Sequence, residues 1–122
     1  MPSLCLNNKT NFTRKMEKFL YRKIKEYDPQ LNDFEISYSN HALILDDLVS
    51  LYKGRNKMAK SESIKELTYE ILNNLLLIKN ESITYVKFVV VRYDMISRLF
   101  VFNEDYSKVF FDFIVPNENN SQ

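Results

Sequence analysis

Glycine is nearly missing from this sequence: one residue, Gly54, in 122. Dinucleotide fingerprints and Walker-type phosphate loops need several glycines where the backbone approaches phosphate, so neither can be built here. One cysteine (Cys5) and one histidine (His41) cannot supply the three or four N and S ligands of a usual zinc site. A single cysteine also excludes an internal disulfide, which fits a reducing cytoplasm. Tryptophan is absent, and no apolar run approaches transmembrane length. Charge of one sign is lacking too: 17 Lys plus Arg against 16 Asp plus Glu leave a net charge of +1. That balance gives no global pull toward nucleic acid or anionic membranes. What is present is ordinary for a globular protein, 45% apolar and 27% charged, so the chain is not disordered. Four Asn-X-Ser/Thr triplets begin at Asn8, Asn11, Asn80 and Asn119; with no secretory signal ahead of them, they are expected to be chance matches.

Residues 1–9 lack periodicity and read as a flexible N-terminal arm, within which Cys5 has no local base and is expected to be inert. Thr10 or Asn11 could cap a first helix running to about Tyr27, with Phe12, Met16, Phe19, Leu20, Ile24 and Tyr27 on one face. Asp28-Pro29 ends it, because the residue before proline is pushed out of the helical region. Asp33 to Ser39 alternates, with Phe34, Ile36 and Tyr38 on one side, and predicts a half-buried strand. Asn40-His41 has turn composition. Ala42 to Tyr52 could be strand or a helix capped by Asn40; its β-branched and aromatic neighbours favour strands. Lys53 to Lys60, with Gly54 and four basic residues, reads as an exposed connection. Ser61 or Ser63 then caps a second helix through Ile64, Leu67, Ile71, Leu72, Leu75 and Ile78 to about Asn80.

The last third switches from helical period to strand. Ile83 to Tyr93 is almost continuously apolar, as in a strand covered on both faces. Arg98 to Asn103 and Lys108 to Val115 are two more strands, joined by a turn from Asn103 to Ser107. The expected fold is α+β: a mainly antiparallel sheet of about four to five strands with two helices packed on one face. Residues 10–116 form one domain, and 117–122 a flexible C-terminal tail.

Three groups of residues could carry function. Arg14, Lys18, Arg22 and Lys25 form a basic stripe on helix one, and the first 65 residues carry 12 basic and 8 acidic side chains. Such a stripe could contact nucleic acid, but no aromatic interleaves with it, and the solvated face of an amphipathic helix is the favoured reading. Arg98-Leu99-Phe100-Val101-Phe102 lacks the small residues of an RNA-recognition sheet, so its aromatics read as core. Val109, Phe111, Phe113 and Val115 share one face of the last strand, with Phe110 and Ile114 on the other. If that strand is an edge, its surplus apolar face is a partner or homodimer surface. Asp46-Asp47 and Glu104-Asp105 are paired acids that a hydrolase could use with His41, but adjacent acids are ordinary in turns. No catalytic residue, cofactor or metal site is expected.

The order of elements resembles small bacterial immunity proteins that neutralise a cognate toxin, of the YezG-like or contact-dependent-inhibition immunity type. Phe34 to Tyr38 with Ala42 to Asp47, and Val86 to Arg92 with Leu99 to Tyr106, carry the likeness. The resemblance implies a cytoplasmic, single-domain, non-enzymatic protein that blocks its toxin by steric capture. It also implies that Asp46, Asp47, Asp94, Glu104 and Asp105 mimic a nucleic-acid substrate toward a basic toxin domain. No membrane partner is expected.

Overall fold

A computed structural model of the chain describes residues 14–39 and 42–115. The predicted arm, the cap at Thr10 or Asn11, the Asn40-His41 turn and the tail lie outside these residues. The elements run α1 (Arg14–Tyr27), β1 (Glu35–Ser39), β2 (Leu43–Ile44), α2 (Leu45–Met58), α3 (Glu62–Asn80), β3 (Tyr85–Tyr93), β4 (Ile96–Phe102) and β5 (Val109–Val115). All strand pairings are antiparallel, in the order β1-β3-β4-β5, with β2 pairing the start of β3. The fold is α+β with a five-stranded sheet, as the periodicity predicts, but with three helices rather than two.

The chain separates into two compact units: Leu43–Val86, and the described residues on either side of that segment. In the flanking unit, α1 buries the stripe that its spacing dictates. Leu20 and Ile24 are wholly inaccessible and pack with Val89, Val91, Phe100 and Phe102 of the sheet and with Leu31, Phe34 and Ile36. Each such side chain contributes about 1.5–3 kcal/mol by leaving water. The alternate sheet positions Phe88, Val90, Leu99 and Val101 are buried as well, which is why β3 reads as an unbroken apolar run. Helix α1 stops where Asp28-Pro29 requires. The Asp28 carboxylate accepts from the Gln30 N–H at 3.2 Å, and Lys25 donates to the carbonyls of Pro29 and Leu31. A buried hydroxyl pair, Ser39 with Tyr106 at 2.8 Å, ties β1 to the β4–β5 turn. Burial raises the Tyr106 pKa, the Ser39 bond opposing the shift.

The Leu43–Val86 unit corrects the expectation for residues 42–60. Only Leu43 and Ile44 are strand; α2 starts at Leu45 and continues through the basic stretch, expected as a connection, to Met58. Leu45, Leu48, Val49 and Tyr52 are buried at helical spacing, so packing overrides the strand propensity of the Ile, Val and Tyr residues. No side chain caps α2; instead its first N–H, from Leu45, donates to the Thr84 carbonyl at 2.9 Å. Helix α3 is capped as predicted by Ser61, whose hydroxyl accepts from the Ile64 N–H at 3.2 Å. It packs on α2, its residues Ile71, Leu72, Leu75 and Ile78 are buried, and an ion pair joins Lys79 of its last turn to Asp46 of the first turn of α2.

Candidate functional site

The two-residue loop between β3 and β4, Asp94-Met95, has positive φ at both positions, 48° and 63°. That is a type I′ hairpin turn, whose right-handed twist suits the flanking strands and which ordinarily carries Asn-Gly or Asp-Gly. A methionine in the left-handed region is strained, and here its side chain stands 85% exposed. The register puts Tyr93 opposite Ile96, and Arg98 opposite Ile114 of β5, on the sheet face that bears Phe100. Ile114 is 59% exposed and Ile96 also meets solvent, so the tip and the adjoining edge strand present Met95, Ile96 and Ile114 together.

On the same sheet face as Ile96 and Ile114 lies a polar cluster. The Arg98 guanidinium donates through Nη1 to Asp28 at 2.8 Å and through Nε to Asp112 of β5 at 2.5 Å, and lies 3.5 Å from the Tyr93 hydroxyl. Tyr27 donates to the other Asp112 oxygen at 2.8 Å and sets its ring edge-on to Phe100. Burial works against the Arg98 charge, but the bonds to Asp112, Asp28 and Tyr93 overcome it and hold the guanidinium pKa above that of free arginine. The Arg98 bond likewise holds the Asp28 carboxyl below its ordinary value. Burial, then the Asp112 bond, pushes the Tyr27 phenol up to about 12. One residue each from the end of α1, β4 and β5 is thereby tied together on the sheet face that Ile96 and Ile114 share.

The structure does not gather the five predicted acids into one patch. Asp94 sits in the β3–β4 turn, beside Met95. Glu104 and Asp105 lie in the β4–β5 turn at the opposite end of β4, about 20 Å away at the rise of a seven-residue strand. Asp105 accepts from the Ser107 N–H at 3.0 Å, and its bonds to Ser107 hold its carboxyl below the ordinary range, the chemistry of an Asx turn. Asp46 and Asp47 belong to the first turn of α2, where carboxylates favour the helix dipole, and not to a sheet element. Asp46 is paired with Lys79; Asp47 is exposed. Among the basic-stripe residues, Arg14, Lys18 and Arg22 are exposed, while Lys25 is engaged with the Pro29–Asn32 loop. Tyr21, on the same helix, stacks on Phe34 at 4.1 Å.

Among the described residues no group of three or more His, Cys, Asp or Glu is placed to hold a metal ion, and no helix is long and apolar enough to cross a membrane. Comparison with protein-family descriptions, curated protein sequences and solved structures found no match to this chain.

Proposed function

We propose that this chain is a non-enzymatic protein-binding domain that captures one partner protein sterically, in the manner of an immunity or inhibitor protein acting on a toxin domain in a reducing cytoplasm. The observation that carries the reading is Met95: a large apolar side chain held in water by a turn that would be less strained with glycine. A backbone cost at an exposed position is explained by what the side chain meets. Methionine and isoleucine, with Arg and Tyr on the sheet face that the isoleucines share, have the composition of an interface hot spot ringed by polar groups. Asp94 is the predicted acid that borders this patch, so it steers and orients a basic partner surface.

The test uses the full chain immobilised as bait, with nuclease treatment and a high-salt wash. The wild type is expected to retain one stoichiometric protein. Met95→Gly should fold at least as stably yet weaken that capture by tenfold or more, about the 1.4 kcal/mol of a modest hot-spot residue. Asp94→Lys should weaken it mainly through a slower association rate. Equal capture by wild type and Met95→Gly, or retention of nucleic acid alone before nuclease, overturns the reading.

A further inference from the structure

The two edges of the sheet are treated differently by the sequence. Strand β1 is five residues long, carries Glu35, and breaks its register between Ile36 and Tyr38, where the Ser37 hydroxyl turns back to the Val90 carbonyl at 3.1 Å. Shortness, a charge and a bulge are the usual protections of an edge. Strand β5 has the sequence Val-Phe-Phe-Asp-Phe-Ile-Val, contains no lysine or proline, and pairs on one side only among the described residues. None of its seven residues is buried. Its one charge, Asp112, is held by Arg98 and Tyr27 of the same molecule. Its register shift falls at Phe110, so Phe111 to Val115 form a regular edge that no other strand covers among the described residues.

From these features we infer that the β5 edge takes β5 of a second copy of this chain as an antiparallel strand, joining two sheets into one. The inference goes beyond the partner surface at Met95 and does not rest on it. A second copy fits because the edge is self-complementary. The internal neutralisation of Asp112 and a net charge of +1 remove the like-charge repulsion that would oppose association. The register follows from the pleat. Side chains alternate faces with period two, so identical antiparallel strands related by a dyad can match faces only if the axis passes through a residue. The regular run Phe111 to Val115 has Phe113 at its centre. That axis sets Phe113 against Phe113, Phe111 against Val115, and Asp112 against Ile114. An axis at Asp112 would instead oppose two carboxylates directly, which is unfavourable.

Sedimentation of the full chain at about 100 µM, well above the dissociation constant of a specific interface, should give a particle of twice 14.6 kDa. In a Cys5→Ser background, Phe113→Cys should form an intermolecular disulfide under mild oxidation, because dyad-related residues on paired strands have Cα atoms about 5 Å apart. Glu35→Cys on β1 should not. Ile114→Glu, at a solvent-exposed position, sets a carboxylate opposite Asp112 twice per dimer and should weaken dimerisation about tenfold; its circular dichroism confirms folding. Met95→Gly should leave the dimer intact, which separates this inference from the partner surface. A monomer at that concentration overturns the proposal, as does a dimer that forms no Phe113→Cys disulfide or that Ile114→Glu leaves unchanged.

Discussion

Replacing Arg98 with methionine tests whether the polar cluster holds the site. The side chain of Arg98 is 15% exposed and those of Asp28 and Asp112 are 28% and 16% exposed, so the substitution strands two half-desolvated carboxylates. Two charge-assisted hydrogen bonds are lost, each of about 1.5–3 kcal/mol, while the 3.5 Å approach to Tyr93 adds little. Water reaches Asp28 more readily than Asp112, which returns part of that loss. The net destabilisation should be about 3 kcal/mol, or about 10 °C in melting temperature for a domain of this size. Urea unfolding is the assay, since guanidinium would screen the ions; the midpoint should fall with the slope unchanged. Adding Asp112→Leu to Arg98→Met should recover stability, because the uncompensated carboxylate and not the lost contact is the larger cost. Asp28 adds a pH signature. Its folded pKa is lowered by Arg98, so its stabilisation is present above the ordinary value of 3.8 and is lost as pH falls below it. That acid loss should be shallower in Arg98→Met. A destabilisation under about 0.5 kcal/mol, typical of inert surface changes, would refute the reasoning.

Gly54 lies within α2, and a Cβ there would meet nothing within 4 Å, so Gly54→Ala should raise stability by about 0.5–1 kcal/mol in the same urea assay. Ser61→Ala removes the cap of α3 and should lower stability by about 1 kcal/mol, with a matching midpoint shift. The Tyr27 phenol has a folded pKa of about 12 against 10.0 when free, so its contribution is complete below pH 10 and is lost as pH rises toward 12. Phenolate absorbance of wild type minus Tyr27→Phe should therefore show one tyrosine titrating near pH 12; a difference curve centred near 10 would sink that account.

Where local pattern and tertiary packing agree, the sequence and the structure coincide. Leu20 and Ile24 lie on the apolar stripe of α1, Ile71, Leu72, Leu75 and Ile78 on that of α3, and the alternation read over Asp33 to Ser39 becomes β1 from Glu35 onward, with Ile36 buried. They part at residues 42–60. Leu43 and Ile44 are a strand too short to show a period, and they run directly into α2 with no capping side chain to mark its start. The Thr84 carbonyl that receives the first helical N–H is 39 residues away in sequence, beyond any local signal. The helical spacing of Leu45, Leu48, Val49 and Tyr52 was nonetheless present, and it outweighs the β-branched residues around it.

The candidate site was hidden for the same reason on a larger scale. Arg98 meets Asp112 across 14 positions and Asp28 across 70, so only the folded sheet unites them. The pairing of acids in sequence, by contrast, is a poor guide to pairing in space: Asp46 has its partner in Lys79, Asp105 has Ser107, and Asp94 borders the exposed tip while Glu104 and Asp105 lie at the other end of β4. One local signal did point there. Tyr93 and Ile96 enclose exactly two residues, the length of a tight hairpin loop, and Asp-Met fills it in place of Asp-Gly. A side chain retained where glycine would relieve strain is legible from sequence once the loop length is seen. It marks Met95, rather than any cluster of charge, as the residue whose removal should stabilise the fold and weaken the hold on the proposed partner in the same substitution.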